Sequence, residues 1–197
     1  MSAIATTINV KKTEQNIANL QGQANAMFKE IRTAVEALVD EADMLPDDMF
    51  WFLMEELKTQ VRRNSGKDGT ITHAIAKGAT KSTLHNITYG HIGKTETGRE
   101  TALQFVKTFQ EKSSKLYKPL FDVIKGFGDD GYGDILDSFL LFGQERYKKA
   151  LKGEIVGTSE EQYQGENYFS MSMEDALYKV YARSCQSDLA PDSEDTF

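Results

Sequence analysis

Residues 69–90, GTITHAIAKGATKSTLHNITYG, concentrate the side chains of this chain best suited to recognising a polyanion. Lys77, Lys81 and His85 can place positive charge on phosphates. Ser82, Thr83 and Asn86 can donate to phosphates or read base edges in a major groove. The spacing of the other residues matches a helix-turn-helix, in which two short helices cross at a steep angle. Ala74 supplies a small residue at the helix contact, and Gly78, four residues on, supplies one that tolerates positive φ. Ala79 follows as an apolar lock, Thr80 as the cap of the second helix, and Leu84 and Ile87 as its buried face. On this reading Lys81, Ser82, His85 and Asn86 enter the groove. Thr80, Thr83, Lys77, Arg62, Arg63 and Lys94 hold the phosphate backbone.

The run Ala74, Gly78-Ala79-Thr80-Lys81-Ser82-Thr83-Leu84, Ile87 and Gly90 resembles the helix-turn-helix of lambda-repressor-like bacterial and phage regulators. The resemblance covers residues 46–112, about a third of the chain. It implies a preceding helix (Phe50 to Arg63) and a following capped helix (Thr97 to Gln110). It also implies sequence-specific binding of double-stranded DNA by a transcriptional regulator. His73 departs from the pattern, because the family has a leucine-like core residue there; Ile71 or Ile75 then carries that packing.

Net charge argues in the opposite direction, at −7, but the average hides a partition. Residues 58–118 hold twelve Lys or Arg against four acids, a net of +8, and all three histidines. Residues 1–57 hold four basic and ten acidic residues, a net of −6, and residues 119–197 hold seven and sixteen, a net of −9. Local charge sets the electrostatic footprint of a surface. Two rival readings use the same partition. One is a phage-type DNA packaging or assembly protein working as a ring. The other is a helical protein–protein interaction module without nucleic acid, whose acidic ends and basic middle pair with each other or with a partner. RNA is less favoured, since Tyr89 is the one aromatic in the basic segment placed for stacking.

Other chemistry finds little support. Gly93-Lys94-Thr95 ends like a phosphate-binding loop, but Thr88 stands where that motif needs glycine, and a helix replaces the preceding strand. His85 and His91 are six residues apart with no cysteine nearby, so no metal site is expected. The loop Asp129 to Asp134 lacks the glutamate of a calcium-binding loop. No nucleophile is paired with a base. The chain is therefore expected to be a non-enzyme without cofactor or metal. A single cysteine, Cys185, excludes an internal disulfide and fits a cytoplasmic location. The longest apolar run, Met49 to Met54, is far too short to span a membrane, and the N-terminus does not read as a secretory signal.

The elements that must position the basic segment are mainly helical: a bundle containing the helix-turn-helix, preceded by a long coiled-coil-like helix. Residues 1–45 read as an arm, with a short strand at Ile8 to Val10, followed by a helix capped by Thr13. Ile17, Leu20, Ala24, Met27, Ile31, Ala34 and Leu38 recur at alternating spacings of three and four, which is a coiled-coil seam. A homodimer or higher homo-oligomer is expected through it, as is usual for helix-turn-helix proteins. Residues 46–118 form the basic module. Its first helix begins near Pro46 and buries Phe50, Leu53, Leu57 and Val61; its last begins at the capping box Thr97 to Glu100. Residues 119–186 read as a C-terminal helical region. It comprises a short helix opened by Pro119, a Gly-rich loop, and a helix from Asp134 to Leu151 stopped by Gly153. A loop over 154–170 carries a short strand at Glu154 to Val156, and a last helix is capped by Ser172. Residues 187–197 form an acidic tail with a disordered composition.

Overall fold

The computed structural model of the chain describes residues 2–65, 72–90, 98–121 and 129–154. The described residues are almost entirely helical and contain no strand. Six helices follow in order: α1 (Ser2–Glu41), α2 (Asp47–Asn64), α3 (His73–Thr88), α4 (Gly98–Phe121), α5 (Asp129–Leu141) and α6 (Gln144–Ala150).

The core centres on α4, which packs against all five other helices. Its sequence dictates this place, because Ala102, Leu103, Phe105, Val106, Phe109, Leu116 and Leu120 recur at helical spacing and are all buried. α2 presents the expected stripe of Phe50, Leu53, Leu57 and Val61, widened by Met54. Phe50 meets Phe105 at a ring separation of 5.6 Å. Polar contacts fix the helices in register. The Thr108 hydroxyl accepts from the Leu45 backbone N–H at 2.8 Å, tying the segment before α2 to α4. The Ser113 hydroxyl donates to the buried Asp137 carboxylate at 2.7 Å, tying α4 to α5.

A second set of contacts surrounds Lys112. Its ammonium pairs with Asp47 and lies 5.3–5.7 Å from the ring centroids of Phe50, Trp51 and Tyr147. The Tyr147 hydroxyl donates back to the Lys112 carbonyl at 3.2 Å. The hydrogen bond and charge of Lys112, helped by the Gln144 amide, hold the Asp47 carboxyl below its ordinary 3.8 against the opposing effect of burial. Burial, with the Asp47 charge beside it, pushes the Tyr147 phenol up to about 12.

Several boundaries differ from the sequence expectation. Ser2 to Lys12 are helical rather than an arm with a strand, and Thr13 lies inside α1. A strand at Ile8 to Val10 finds no strand to pair with among the described residues, whereas helical bonds are satisfied locally. α4 runs through Pro119 to Phe121, so that proline sits in the last turn and opens no new helix. α5 begins at Asp129, so Asp134 is interior rather than a cap. Gly133, inside α5, meets no neighbour. The helix expected from Asp134 to Leu151 is divided at Gly143, whose φ of +94° only glycine adopts without strain. The capping threonine Thr97, Gly93 to Thr95, His91, the strand expected to end at Val156, the last helix with Cys185 and the acidic tail lie outside the described residues.

Candidate nucleic-acid interface

The segment 73–88 is one continuous helix, not two helices joined by a turn. Gly78 is helical and interior, and an added Cβ there would meet nothing within 4 Å. The N-cap is Thr72, whose side chain accepts from the Ile75 N–H, and not Thr80. A glycine costs only about 1 kcal/mol inside a helix. The burial of Ala76, Ala79, Leu84 and Ile87 against the core outweighs that cost.

This continuity sorts the expected DNA-contacting residues into three groups. Thr80 and Thr83 are corrected: both are fully buried. Their hydroxyls donate to the carbonyls of Ala76 at 2.8 Å and Ala79 at 2.9 Å, so neither reaches a phosphate. A threonine can line a core this way because its hydroxyl finds an acceptor on its own helix. Lys77, Lys81 and His85 stay together. They are exposed at four-residue intervals and share one face of α3, a stripe about 12 Å long at 1.5 Å per residue. Ser82 and Asn86 flank that stripe and are half-buried. The Asn86 amide donates to Glu56 on α2 at 3.0 Å, which turns it toward the neighbouring helix. Ala74 faces solvent instead of a helix contact, and Ile75 packs against the core in its place. Lys94 lies outside the described residues.

α3 carries no acidic residue. The tight seating that exposes its basic face is built by small residues. Ala76 and Ala79 are buried in the shared core, and Gly98 lets α4 begin directly beside the end of α3. A Cβ on Gly98 would stand 2.4 Å from the Thr88 carbonyl oxygen. Arg62 and Arg63, in the last turn of α2, are exposed and also suit that helix's negative C-terminal dipole. The His85 and Tyr89 rings lie 4.6 Å apart at the C-terminal end of the stripe.

Part of the basic segment is used internally, in pairs that the sequence reading did not name. Lys112 pairs with Asp47, Lys58 with Glu55, and Lys107 donates to the Asp40 carbonyl at the end of α1. A lysine within reach of an acidic helix start or an open helix end had a local signal in Lys58 only, where Glu55 precedes it by three. Among the described residues, no group of three or more His, Cys, Asp or Glu side chains could hold a metal ion. No described helix is long and apolar enough to cross a membrane. The chain matches no protein-family model, and no curated protein and no solved structure is significantly similar to it.

Proposed function

We propose that this protein binds double-stranded DNA, as a homo-oligomer, through the outward face of α3. The observation that carries the reading is the stripe Lys77, Lys81 and His85 on the exposed face of an acid-free helix of sixteen residues. A single helix of this kind fits the major groove, which is about 12 Å wide. Lys81, Ser82 and His85, in the middle and C-terminal part of the stripe, are the candidates for reading base edges, as a sequence-specific regulator requires. Lys77, Arg62 and Arg63 are the candidates for phosphates. Thr80 and Thr83 have no part in it.

A salt titration of DNA binding tests this. If Lys77, Lys81, Arg62 and Arg63 each neutralise one phosphate, the log–log slope is about −3.6, at roughly −0.9 per phosphate. Lys81→Ala and His85→Ala should relax sequence preference, whereas Arg63→Ala should weaken all sequences alike. Binding that is absent, or indifferent to salt, refutes the proposal.

A second reading, an interaction module without nucleic acid, draws on the pairing of Lys112 with Asp47 and of Lys107 with the end of α1. Those contacts join the basic middle to the acidic N-terminal part. Neither of the lysines in those two contacts lies on α3.

A further inference from the structure

α1 is forty residues long, and among its described side chains the contacts with the bundle lie near its C-terminal end. Val35 and Val39 are buried, with Ile31 and Ala42 packed at the margin, and the helix docks on α4. None of the described side chains from Gln15 to Glu30 is buried. The seam residues along this free length are large and exposed: Ile17 at 49%, Leu20 at 64% and Met27 at 54%, continued by Leu38 at 41%. The bundle therefore takes Val35 and Val39 with Ile31 at its margin, and leaves Ile17, Leu20, Met27 and Leu38 of the seam exposed.

The composition of the free part is unusual for a solvated helix. Fourteen consecutive residues, Gln15 to Phe28, carry no charge, and six of them are Asn or Gln. Gly22 and the three asparagines weaken the helix in isolation, so it depends on a partner surface for stability.

We infer that α1 pairs in parallel with α1 of a second copy of this chain, through the seam from Ile17 to Leu38. This deepens the oligomeric part of the reading above and does not depend on DNA. Three observations select a second copy as the occupant. First, the chain carries a net charge of −7 and its copies repel, but the uncharged stretch is a surface on which two copies meet without repulsion. The flanking positions Asn16, Gln21 and Gln23 are neutral too, so nothing there selects a partner of opposite charge. Second, the heptad register has Ile17, Ala24, Ile31 and Leu38 at a with Leu20, Met27 and Ala34 at d, and the large pair in the free length is Ile17 at a with Leu20 at d. β-Branched a residues over unbranched-β d residues favour two parallel strands. Ala24 and Ala34 complete the seam and allow close approach. Third, the area is that of a weak pair, at the lower limit for a specific interface. The seam is roughly 32 Å long, and half the circumference of a helix about 11 Å across gives roughly 550 Å² per copy, near the ~600 Å² of the smallest stable pairs.

Sedimentation equilibrium of the full chain, without nucleic acid, tests the inference. The wild type should show twice the chain mass of 22.1 kDa at micromolar concentration. The double variant Leu20→Lys/Met27→Lys should sediment as a monomer. Asn19→Lys/Ala26→Lys adds the same charge off the seam and should remain dimeric. Both variants should keep the wild-type near-ultraviolet dichroism of the bundle, whose aromatics lie away from these positions. With Cys185 replaced by serine, Ala24→Cys should cross-link oxidatively between copies, since a parallel pair brings the two Ala24 positions together. A monomeric wild type, equal masses for seam and off-seam variants, or no cross-link at Ala24 overturns the inference. DNA binding has its own titration, so either proposal can fail alone.

Discussion

Replacing Gly78 by alanine should stabilise this protein, although glycine at that position is the residue a turn between two helices demands. Gly78 is the sixth residue of α3, its φ is not positive, and its added Cβ meets nothing within 4 Å. The only effects left are the entropy lost by the unfolded glycine and the helix propensity gained, together about 0.5–1 kcal/mol. For a chain of this length, 1 kcal/mol moves the melting midpoint by roughly 2–4 °C, so Gly78→Ala should raise it by about 1–4 °C. If instead Gly78 held a left-handed turn, alanine would cost about 1–2 kcal/mol and lower the midpoint. Gly98→Ala is the counterpart. There the Cβ would lie 2.4 Å from the Thr88 carbonyl oxygen and 2.9 Å from that of Ile87, both backbone atoms. Relief requires α4 to move away from the end of α3, an overpacking cost of about 1–3 kcal/mol. Thermal unfolding followed by far-ultraviolet dichroism, with a urea titration to check that the slope is unchanged, measures both. A midpoint that falls for Gly78→Ala refutes the continuous helix. A midpoint unchanged for Gly98→Ala refutes the close α3–α4 approach.

Two further outcomes concern the contacts around Lys112. The Asp47 carboxyl is held below 3.8 by Lys112, so its stabilising effect is present above that pH and is lost as pH falls below it through the folded-state value. Asp47→Asn should therefore flatten the acid limb of a stability-versus-pH curve, and should also shrink the alkaline loss somewhat, since the Asp47 charge is the smaller of the two causes that raise Tyr147. The Tyr147 phenol, raised from 10 to about 12, stays neutral in the folded protein while the unfolded chain ionises. Its contribution is present below pH 10 and is lost between pH 10 and about 12. The ultraviolet difference titration of wild type against Tyr147→Phe should show one phenolate appearing near pH 12, and one appearing near pH 10 would contradict the packing described.

Much of the helical content was legible because it rests on local pattern. The stripes Phe50-Leu53-Leu57-Val61 and Leu103-Val106-Phe109 repeat at helical period, and a helix forms its bonds within its own segment. The exposure of Lys77, Lys81 and His85 was legible for the same reason, since Leu84 and Ile87 already mark the opposite face. The roles of Thr80 and Gly78 were not. Threonine is equally at home as a cap or as a buried residue bonded to its own helix, and glycine permits both a turn and a helix. Only the seating of Ala76, Ala79, Leu84 and Ile87 against α2 and α4 tips those choices, through burial larger than the ~1 kcal/mol a helical glycine costs. The sequence thus determined, by itself, which stretches are helical and which faces are apolar, because both follow from interactions a few residues apart. The tertiary structure alone decided that 73–88 is one helix and that Lys112 turns inward to Asp47. It also decided which edge of α1 the bundle covers. Each of these depends on a partner residue far along the chain, whose position no local spacing encodes.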